Sequence, residues 1–172
     1  MRNDLDRVFF ETKLLTDEAG AISGIAWKYD QPDRIGDVIE AGAFAKAAFP
    51  LPMLPFHDMG DPIGVWESAE DKGGAWIVKG KMLIDDVPRA RQVRALVKAG
   101  AVKGLSIGFM TKKAVTRPGG GRTIKSLELF EVSLVTVGMH PGAKITSAKS
   151  AVEALSLAAM LNRATLALSN RS

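Results

Sequence analysis

The sequence contains no cysteine and only two histidines, His57 and His140, in 172 residues. Without cysteine the chain forms no disulfide and no thiolate-bound metal centre, which fits a reducing compartment. No apolar run approaches the roughly 20 residues that a transmembrane helix needs, and the first ten residues are charged where a secretory signal would be apolar. We therefore expect neither insertion into a membrane nor secretion.

Aromatic residues are also scarce, at 6% of the chain, and the basic residues are spread along it. The net charge of +4 would suit an acidic partner, but nucleic-acid-binding surfaces usually cluster basic side chains among aromatic ones. We expect no specific nucleic-acid binding. The contents of 47% apolar and 24% charged residues are typical of one globular domain with its own core.

Short runs of β-branched and aromatic residues, separated by turn residues, predict a mainly antiparallel sheet. The predicted strands are residues 8–15, 21–29, 51–57, 62–68, 75–83, 102–115 and, within a return segment at residues 123–136, residues 127–135. The first two are expected to form a hairpin, as are the two that flank Asp71-Lys-Gly-Gly74. The pattern predicts a mainly β fold with peripheral helices (α+β), built as an antiparallel barrel or sandwich.

Three segments carry helical signals. Residues 42–49 are rich in alanine and stop at Pro50. A second helix is expected to open at Pro88, with Asp85 or Asp86 as its cap. Its predicted apolar face is Ala90, Val93, Leu96 and Val97. Residues 150–168 have apolar residues at helical spacing, which predicts a helix that docks on the sheet or pairs two subunits.

Ser106 lies in the apolar run Gly104-Leu-Ser-Ile-Gly108 and is a candidate nucleophile. A serine hydroxyl reacts at neutral pH when a base takes its proton and a third group orients that base. The run matches the G-x-S-x-G nucleophile elbow, but an elbow has a strand before the serine and a helix after it. Here a predicted helix precedes Ser106 and a strand follows, so the α/β-hydrolase interpretation is set aside.

His57 ends an extended segment and is a candidate base. Its neighbour Asp58 is a poor partner because adjacent residues of an extended chain point to opposite faces. In the last predicted strand, one face is expected to carry Leu127, Leu129, Glu131 and Ser133. The other face is expected to carry Glu128, Phe130 and Val132. One glutamate therefore points into apolar surroundings, where a carboxylate needs a hydrogen-bond donor. A histidine ring or a basic side chain would each serve.

Four blocks occur in the order seen in tailed-phage prohead maturation proteases. They are Gly42-Ala-Phe44, Pro55-Phe-His-Asp58 with Pro62-Ile-Gly64, Gly104-Leu-Ser-Ile-Gly-Phe109, and Leu129-Phe-Glu-Val-Ser-Leu-Val135. The chain resembles this family over about residues 8–146. The family in turn resembles the herpesvirus assemblins, serine proteases whose fold is a mainly antiparallel β-barrel ringed by helices. The resemblance implies a protease domain at residues 1–148 and a C-terminal helix or tail of the same domain at residues 149–172.

The resemblance also implies roles for three residues. Ser106 would be the nucleophile, His57 the general base and Glu131 the third member of the triad, where the assemblins have a second histidine. The implied reaction is peptide hydrolysis by acyl transfer, with no metal and no organic cofactor. His140 is expected to be at most a loop residue near the site, and oxyanion donors are expected from the loop 137–143.

The resemblance further implies the substrates and the setting. These are the scaffold protein or the scaffolding segment of the major capsid protein, and the chain itself, inside an immature prohead in the host cytoplasm. A homodimer through the helix at residues 150–168 is one further expectation. Two alternatives stay open, an acyl hydrolase of the same fold and a non-proteolytic barrel for capsid assembly or scaffold binding. A pure binding module has no need to hold Ser106, His57 and Glu131 together.

Overall fold

The computed structural model describes residues 6–11, 15–16, 19–29, 31–33 and 35–136, the first two ranges by their backbone alone. In this part of the chain one nine-stranded sheet closes nearly into a barrel. Its strands are β1 Asp6–Glu11, β2 Leu15–Thr16, β3 Ala21–Lys28, β4 Val38–Ile39, β5 Leu51–Pro55, β6 Gly64–Lys72, β7 Ala75–Met82, β8 Gly104–Thr116 and β9 Arg122–Val135. One helix, α1 Pro88–Lys98, connects β7 to β8. The predicted mainly β fold is confirmed.

The strand order is β1-β8-β9-β5-β6-β7-β3-β2, and β4 lies beside β9. Neighbouring strands are antiparallel except that β9 pairs in parallel with both β4 and β5. In the β5–β9 pair, Met53 lies opposite Val132 and Pro55 opposite Leu134. Because parallel strands end at the same edge, the residues that follow β5 lie beside the end of β9.

Apolar side chains fill the barrel. The largest fully buried ones are Trp27, Trp66, Phe109, Ile39, Met53, Leu54, Ile63, Met82, Leu105, Ile107 and Ile124. Each such side chain contributes roughly 1.5–3 kcal/mol through burial. On β8 the core members are Leu105, Ile107 and Phe109, and side chains alternate along a strand. Ser106 therefore lies on the other face of β8 from the core.

The first strand is not where the sequence pattern put it. β1 pairs with β8, with Phe9 opposite Ser106, and among the described residues before Gly20 only Leu15 and Thr16 pair with β3. The predicted opening hairpin is therefore wrong for most of its length. β8 is long and apolar, and pairing with β1 satisfies backbone groups that an open edge would expose. Residue patterns identify strands, but where no tight turn joins two strands they do not show which partner a strand takes.

The predicted helix at residues 42–49 is also wrong, since residues 41–46 form successive turns. Backbone hydrogen bonds there join residues three apart, such as Ala45 N to Gly42 O at 3.0 Å. Gly42 has a φ of 90°, which no α-helix accommodates. Phe44 stacks on Trp76 with 4.2 Å between the ring centroids. This packing overrides the helix propensity of the alanines.

Helix α1 begins at Pro88 as predicted, but its first residue is not capped as expected. The N-cap is Val87, which makes no side-chain cap, so neither Asp85 nor Asp86 has this role. The side chains that α1 buries are Ala90, Val93 and Val97. Leu96, expected on the same face, is 39% exposed. No helix in the described ranges is long and apolar enough to cross a bilayer.

Several predictions concern residues outside those the structure describes. They are the loop 137–143 with His140, the helix at residues 150–168 and the homodimer through it. The division of the chain at residue 148 also falls outside the described ranges, and it stays a prediction.

Candidate active site

A tight turn after β5 carries His57. Phe56 N–H donates to the carbonyl oxygen of Leu134 at 2.9 Å, and Asp58 N–H donates to that of Pro55 at 3.0 Å. Phe56 and His57 both have positive φ angles, 53° and 63°. This left-handed region costs a non-glycine residue roughly 1–2 kcal/mol. The chain tolerates strain at this turn to place the His57 ring beside β9.

The register of β8 and β9 brings four positions together. Ser106 lies opposite Ser133, and Gly108 lies opposite Glu131. Directly opposite residues share a face of the sheet, and so do residues two apart on one strand. The two serines are fully buried and Glu131 is 2% exposed. The four positions therefore form one buried patch on the face of β8 and β9 that does not line the core.

A β-bulge in β9 decides which way Glu131 points. The register passes from the Gly108–Glu131 pair to the Phe109–Leu129 pair, which leaves Phe130 as an extra residue. A bulge of this kind shifts the alternation of side chains by one position.

The bulge corrects one prediction. The core residues of β9 are Leu127 and Leu129 before the bulge, and Val132 and Leu134 after it. Simple alternation predicted that Glu131 and Ser133 share a face with Leu127 and Leu129. This prediction is wrong, because the bulge puts them on the opposite face. Glu128 is exposed and pairs with Lys112 at 2.5 Å between Oε2 and Nζ. Glu131 is thus the buried glutamate of the two.

His57, Glu131, Ser133 and Ser106 form a connected polar chain. His57 Nδ1 lies 2.7 Å from Glu131 Oε1, and the two side chains are 9% and 2% exposed. Ser133 Oγ donates to the other carboxylate oxygen, Oε2, at 2.5 Å. Ser106 is hydrogen-bonded to His57. The structure therefore brings together the three residues that the sequence proposed, and of the two expected partners for Glu131 it has the histidine.

Gly108 provides the space in which the Glu131 side chain lies. A Cβ at this position would lie 2.9 Å from both Cγ and Cδ of Glu131 and nearer still to Oε1. Sequence reasoning noted Gly108 only as part of a motif and gave it no role. Its role follows from the strand register, which puts Gly108 opposite Glu131. This register could not be predicted from the sequence.

Ser133 is the second residue of the site that sequence reasoning missed. The spacing Glu131-Val-Ser133 was a usable signal, because residues two apart on a strand share a face. The backbone between them is anchored by Trp66, whose Nε1 donates to Val132 O at 2.8 Å. Trp66 is fully buried, so this part of β9 is fixed from the core as well as by its neighbours.

A second buried polar cluster joins Asp33 and Asp37, in the loop before β4, to the start of β9. Asp37 Oδ2 accepts from Arg122 Nη2 at 2.5 Å and Nε at 2.9 Å, and Oδ1 accepts from Arg122 N–H at 2.6 Å. Asp33 Oδ1 accepts from the N–H groups of Ile35 and Asp37. Burial raises the pKa of Asp33. This cluster lies at the opposite end of β9 from Ser133 and holds the loop in place.

A metal centre needs several ligands close together. Within the ranges described, no group of three or more histidine, aspartate or glutamate side chains is arranged to hold a metal ion.

The comparison with protein families shows to which family the chain belongs. The chain matches the caudovirus prohead serine protease family over residues 9–157. It belongs to this family. The resemblance that the four sequence blocks carry is thereby confirmed.

Individual relatives agree with the family assignment. The chain is 36% identical over 146 residues to the capsid polyprotein of Pseudomonas phage PAJU2, and 32% identical over 139 residues to the prohead protease of Enterobacteria phage HK97. The matches cover 81% and 76% of this chain. They cover 22% and 61% of the two relatives, so the chain spans less than two thirds of either.

A solved structure supports the fold. The bacteriophage T4 capsid assembly protease superposes with a TM-score of 0.61 at 16% identity. The match covers 76% of this chain and 96% of the T4 chain. At this identity the likeness concerns the fold, and it agrees with the predicted barrel.

Proposed function

We propose that this chain is a serine endopeptidase in which Ser106 is the nucleophile, His57 the general base and Glu131 the group that orients His57. The observation that carries the proposal is the position of His57. Its Nδ1 lies 2.7 Å from Glu131 Oε1, and the same residue is hydrogen-bonded to Ser106. A serine hydroxyl is activated at neutral pH when a base accepts its proton and a carboxylate orients that base.

The geometry supports different roles for the two nitrogens of the His57 ring. Nδ1–H donates to Glu131, which leaves Nε2 as the proton acceptor. As Ser106 Oγ bonds to the scissile carbonyl carbon, its proton passes to Nε2 and Glu131 stabilises the imidazolium. Nε2 then gives the proton to the leaving amine as the C–N bond breaks and an acyl-enzyme remains.

The second half of the reaction reuses the same groups. Water loses a proton to Nε2 and attacks the acyl carbon, and Ser106 leaves as it recovers that proton. The His57 and Glu131 side chains are 9% and 2% exposed, and their attraction is weakly screened at such low exposure. This favours the charged pair that forms in each transition state.

We further propose that the substrates are the scaffold protein or the scaffolding segment of the major capsid protein, and the chain itself. The setting would be the immature prohead in the host cytoplasm. The names of the relatives support this, since they are a prohead protease and a capsid polyprotein. The T4 protein with the same fold is a capsid assembly protease.

Co-expression with the cognate capsid and scaffold proteins tests the proposal. We expect discrete fragments by mass spectrometry with the wild-type chain and intact masses with Ser106→Ala. Ser126→Ala is the matched control, because Ser126 also lies in the β8–β9 ladder but pairs with Lys113, away from the site; it should cleave like wild type. Identical intact masses with wild type and Ser106→Ala in assembled shells would contradict the protease and favour the binding module. Turnover of small esters without peptide cleavage would favour the acyl hydrolase.

A further inference from the structure

Ser133 is a buried hydroxyl that the proposed mechanism does not use. It is fully buried, it lies opposite Ser106 in the β8–β9 ladder, and it donates to Glu131 Oε2 at 2.5 Å. We propose that Ser133 is a positioning residue of the active site, whose hydroxyl holds the Glu131 carboxylate so that Oε1 faces His57. Its meaning for catalysis rests on the proposed function.

The carboxylate of a glutamate does not set its own orientation. The last side-chain torsion of glutamate has a broad, roughly two-fold preference, so either oxygen can take many positions. In this site the two oxygens have different donors, Ser133 Oγ for Oε2 and His57 Nδ1 for Oε1. The Ser133 bond lies in the range of 2.5–2.7 Å that is typical of a hydroxyl bound to an ionised carboxylate. Fixing Oε2 fixes Oε1 at the distance that His57 needs.

Gly108 confines the same carboxylate from the opposite strand. The space a Cβ would need is filled by Cγ and Cδ of Glu131. Gly108 therefore sets where the side chain lies, and Ser133 sets how its carboxylate is rotated. The hydrogen bond from Ser133 follows from local structure, since Glu131 and Ser133 are two apart on one strand and share a face.

The effect of Ser133 should appear in turnover and not in substrate binding, because Ser133 acts through Glu131. Ser133→Ala removes the donor to Oε2 in a buried site and frees the carboxylate to rotate. We expect kcat to fall about 10- to 100-fold, the range for losing a hydrogen bond to a charged group, with KM unchanged. Ser133→Thr keeps the hydroxyl and should restore most of kcat.

The test uses the full chain and a peptide that spans a cleavage site located by co-expression. Wild type, Ser133→Ala, Ser133→Thr and the control Ser126→Ala are compared for kcat and KM. In parallel, the Nδ1–H proton of His57 is observed by ¹⁵N-edited NMR in the resting protein, where the chain has only one other histidine, His140. We expect a downfield signal in wild type, Ser133→Thr and Ser126→Ala, and a shifted or exchange-broadened signal in Ser133→Ala.

Wild-type kcat in Ser133→Ala, or an unchanged His57 signal in that variant, would overturn the inference. Equal losses in the alanine and threonine variants with an unchanged signal would show a packing role and overturn it as well. Should Ser133→Ala fold poorly, Ser133→Cys keeps the side-chain shape with a weak donor and is compared in its place. A wild-type chain that cleaves nothing would contradict the proposed function alone, because the NMR comparison still reports whether Ser133 holds Glu131 against His57.

Discussion

Gly108 and Glu131 face each other across the β8–β9 ladder, and the missing side chain of the first leaves the space that the carboxyl group of the second fills. Gly108 does not have a positive φ, so its role is to leave room. The position of the proposed third member of the triad therefore depends on a residue that carries no functional group.

Gly108→Ala should inactivate the protein and destabilise it. The added Cβ displaces Glu131 from His57 Nδ1, and a misplacement of about 1 Å costs roughly 100-fold in rate. Overpacking at a buried site costs roughly 1–3 kcal/mol of unfolding free energy, which urea denaturation measures. The double variant Gly108→Ala with Glu131→Asp should recover stability, because aspartate is shorter, but not activity. Full activity of Gly108→Ala would show that Glu131 needs no such space.

Glu131→Gln should lower kcat about 10,000-fold, the loss typical of replacing the orienting carboxylate of a serine triad by an amide. Glutamine has nearly the same shape but no charge to stabilise the imidazolium. The matched control is Glu128→Gln on the same strand, because Glu128 is exposed and paired with Lys112. Single-turnover cleavage measures both variants. Equal rates for the two would remove Glu131 from the triad.

The stability of the protein should depend on pH through Asp33. Burial raises the pKa of Asp33, with a smaller contribution from the nearby Asp37 charge, while backbone N–H groups oppose the shift. The folded state therefore holds this proton more tightly than the unfolded chain does. The stability contributed by the protonated carboxyl is fully present below about pH 4, the usual value for an unfolded chain, and is lost as pH rises through the raised pKa.

Asp33→Asn isolates this contribution. Asparagine keeps the Oδ1 acceptor for the N–H groups of Ile35 and Asp37 but does not ionise. We expect the variant to gain unfolding free energy relative to wild type as pH rises from about 4 to 7. Urea denaturation of both proteins across that interval measures the difference. A difference that stays constant with pH would contradict the assignment to Asp33.

Arg122→Ala should destabilise the protein by about 3 kcal/mol, because it leaves the Asp37 carboxylate buried without its charged partner. Asp37 is 3% exposed at its side chain and Arg122 35%, so the cost lies at the lower part of the usual range for buried pairs. Lys79→Ala is the control, since it breaks the exposed pair with Glu70 and should leave the melting temperature unchanged. Equal melting temperatures for both variants would show that the pair of Arg122 and Asp37 does not stabilise the fold.

The sequence identified residues that lie together in the structure better than it identified the connections between strands. Ser106, His57 and Glu131 were identified as candidates from the order of four sequence motifs. The hairpin around Asp71-Lys-Gly-Gly74 is confirmed, because the residues that form a tight turn are adjacent in sequence. The partner of β1 was not predictable, because pairing with β8 depends on which edge the closing barrel leaves open. The helix expected at residues 42–49 fails because Phe44 packs on Trp76, a contact distant in sequence.

The bulge at Phe130 shows most directly what the residue pattern of a single strand does not predict. Strict alternation puts Glu131 on the face of Leu129, and one extra residue reverses that outcome. Bulges depend on how two strands fit together, so a single strand's pattern does not reveal them. The same single residue separates Glu131 and Ser133 from the core and gives the site its acidic group.

His57 and Glu131 are 74 positions apart in the chain, and they meet because β5 and β9 pair in parallel. Pairing over such a long sequence separation is intrinsically slow, because the entropy of closing the intervening chain is lost before the contact forms. A partly synthesised chain that lacks β9 therefore has Ser106 and His57 but not Glu131, the proposed orienting group of His57. The proposed triad is complete only once β9 has been synthesised and has paired with β5.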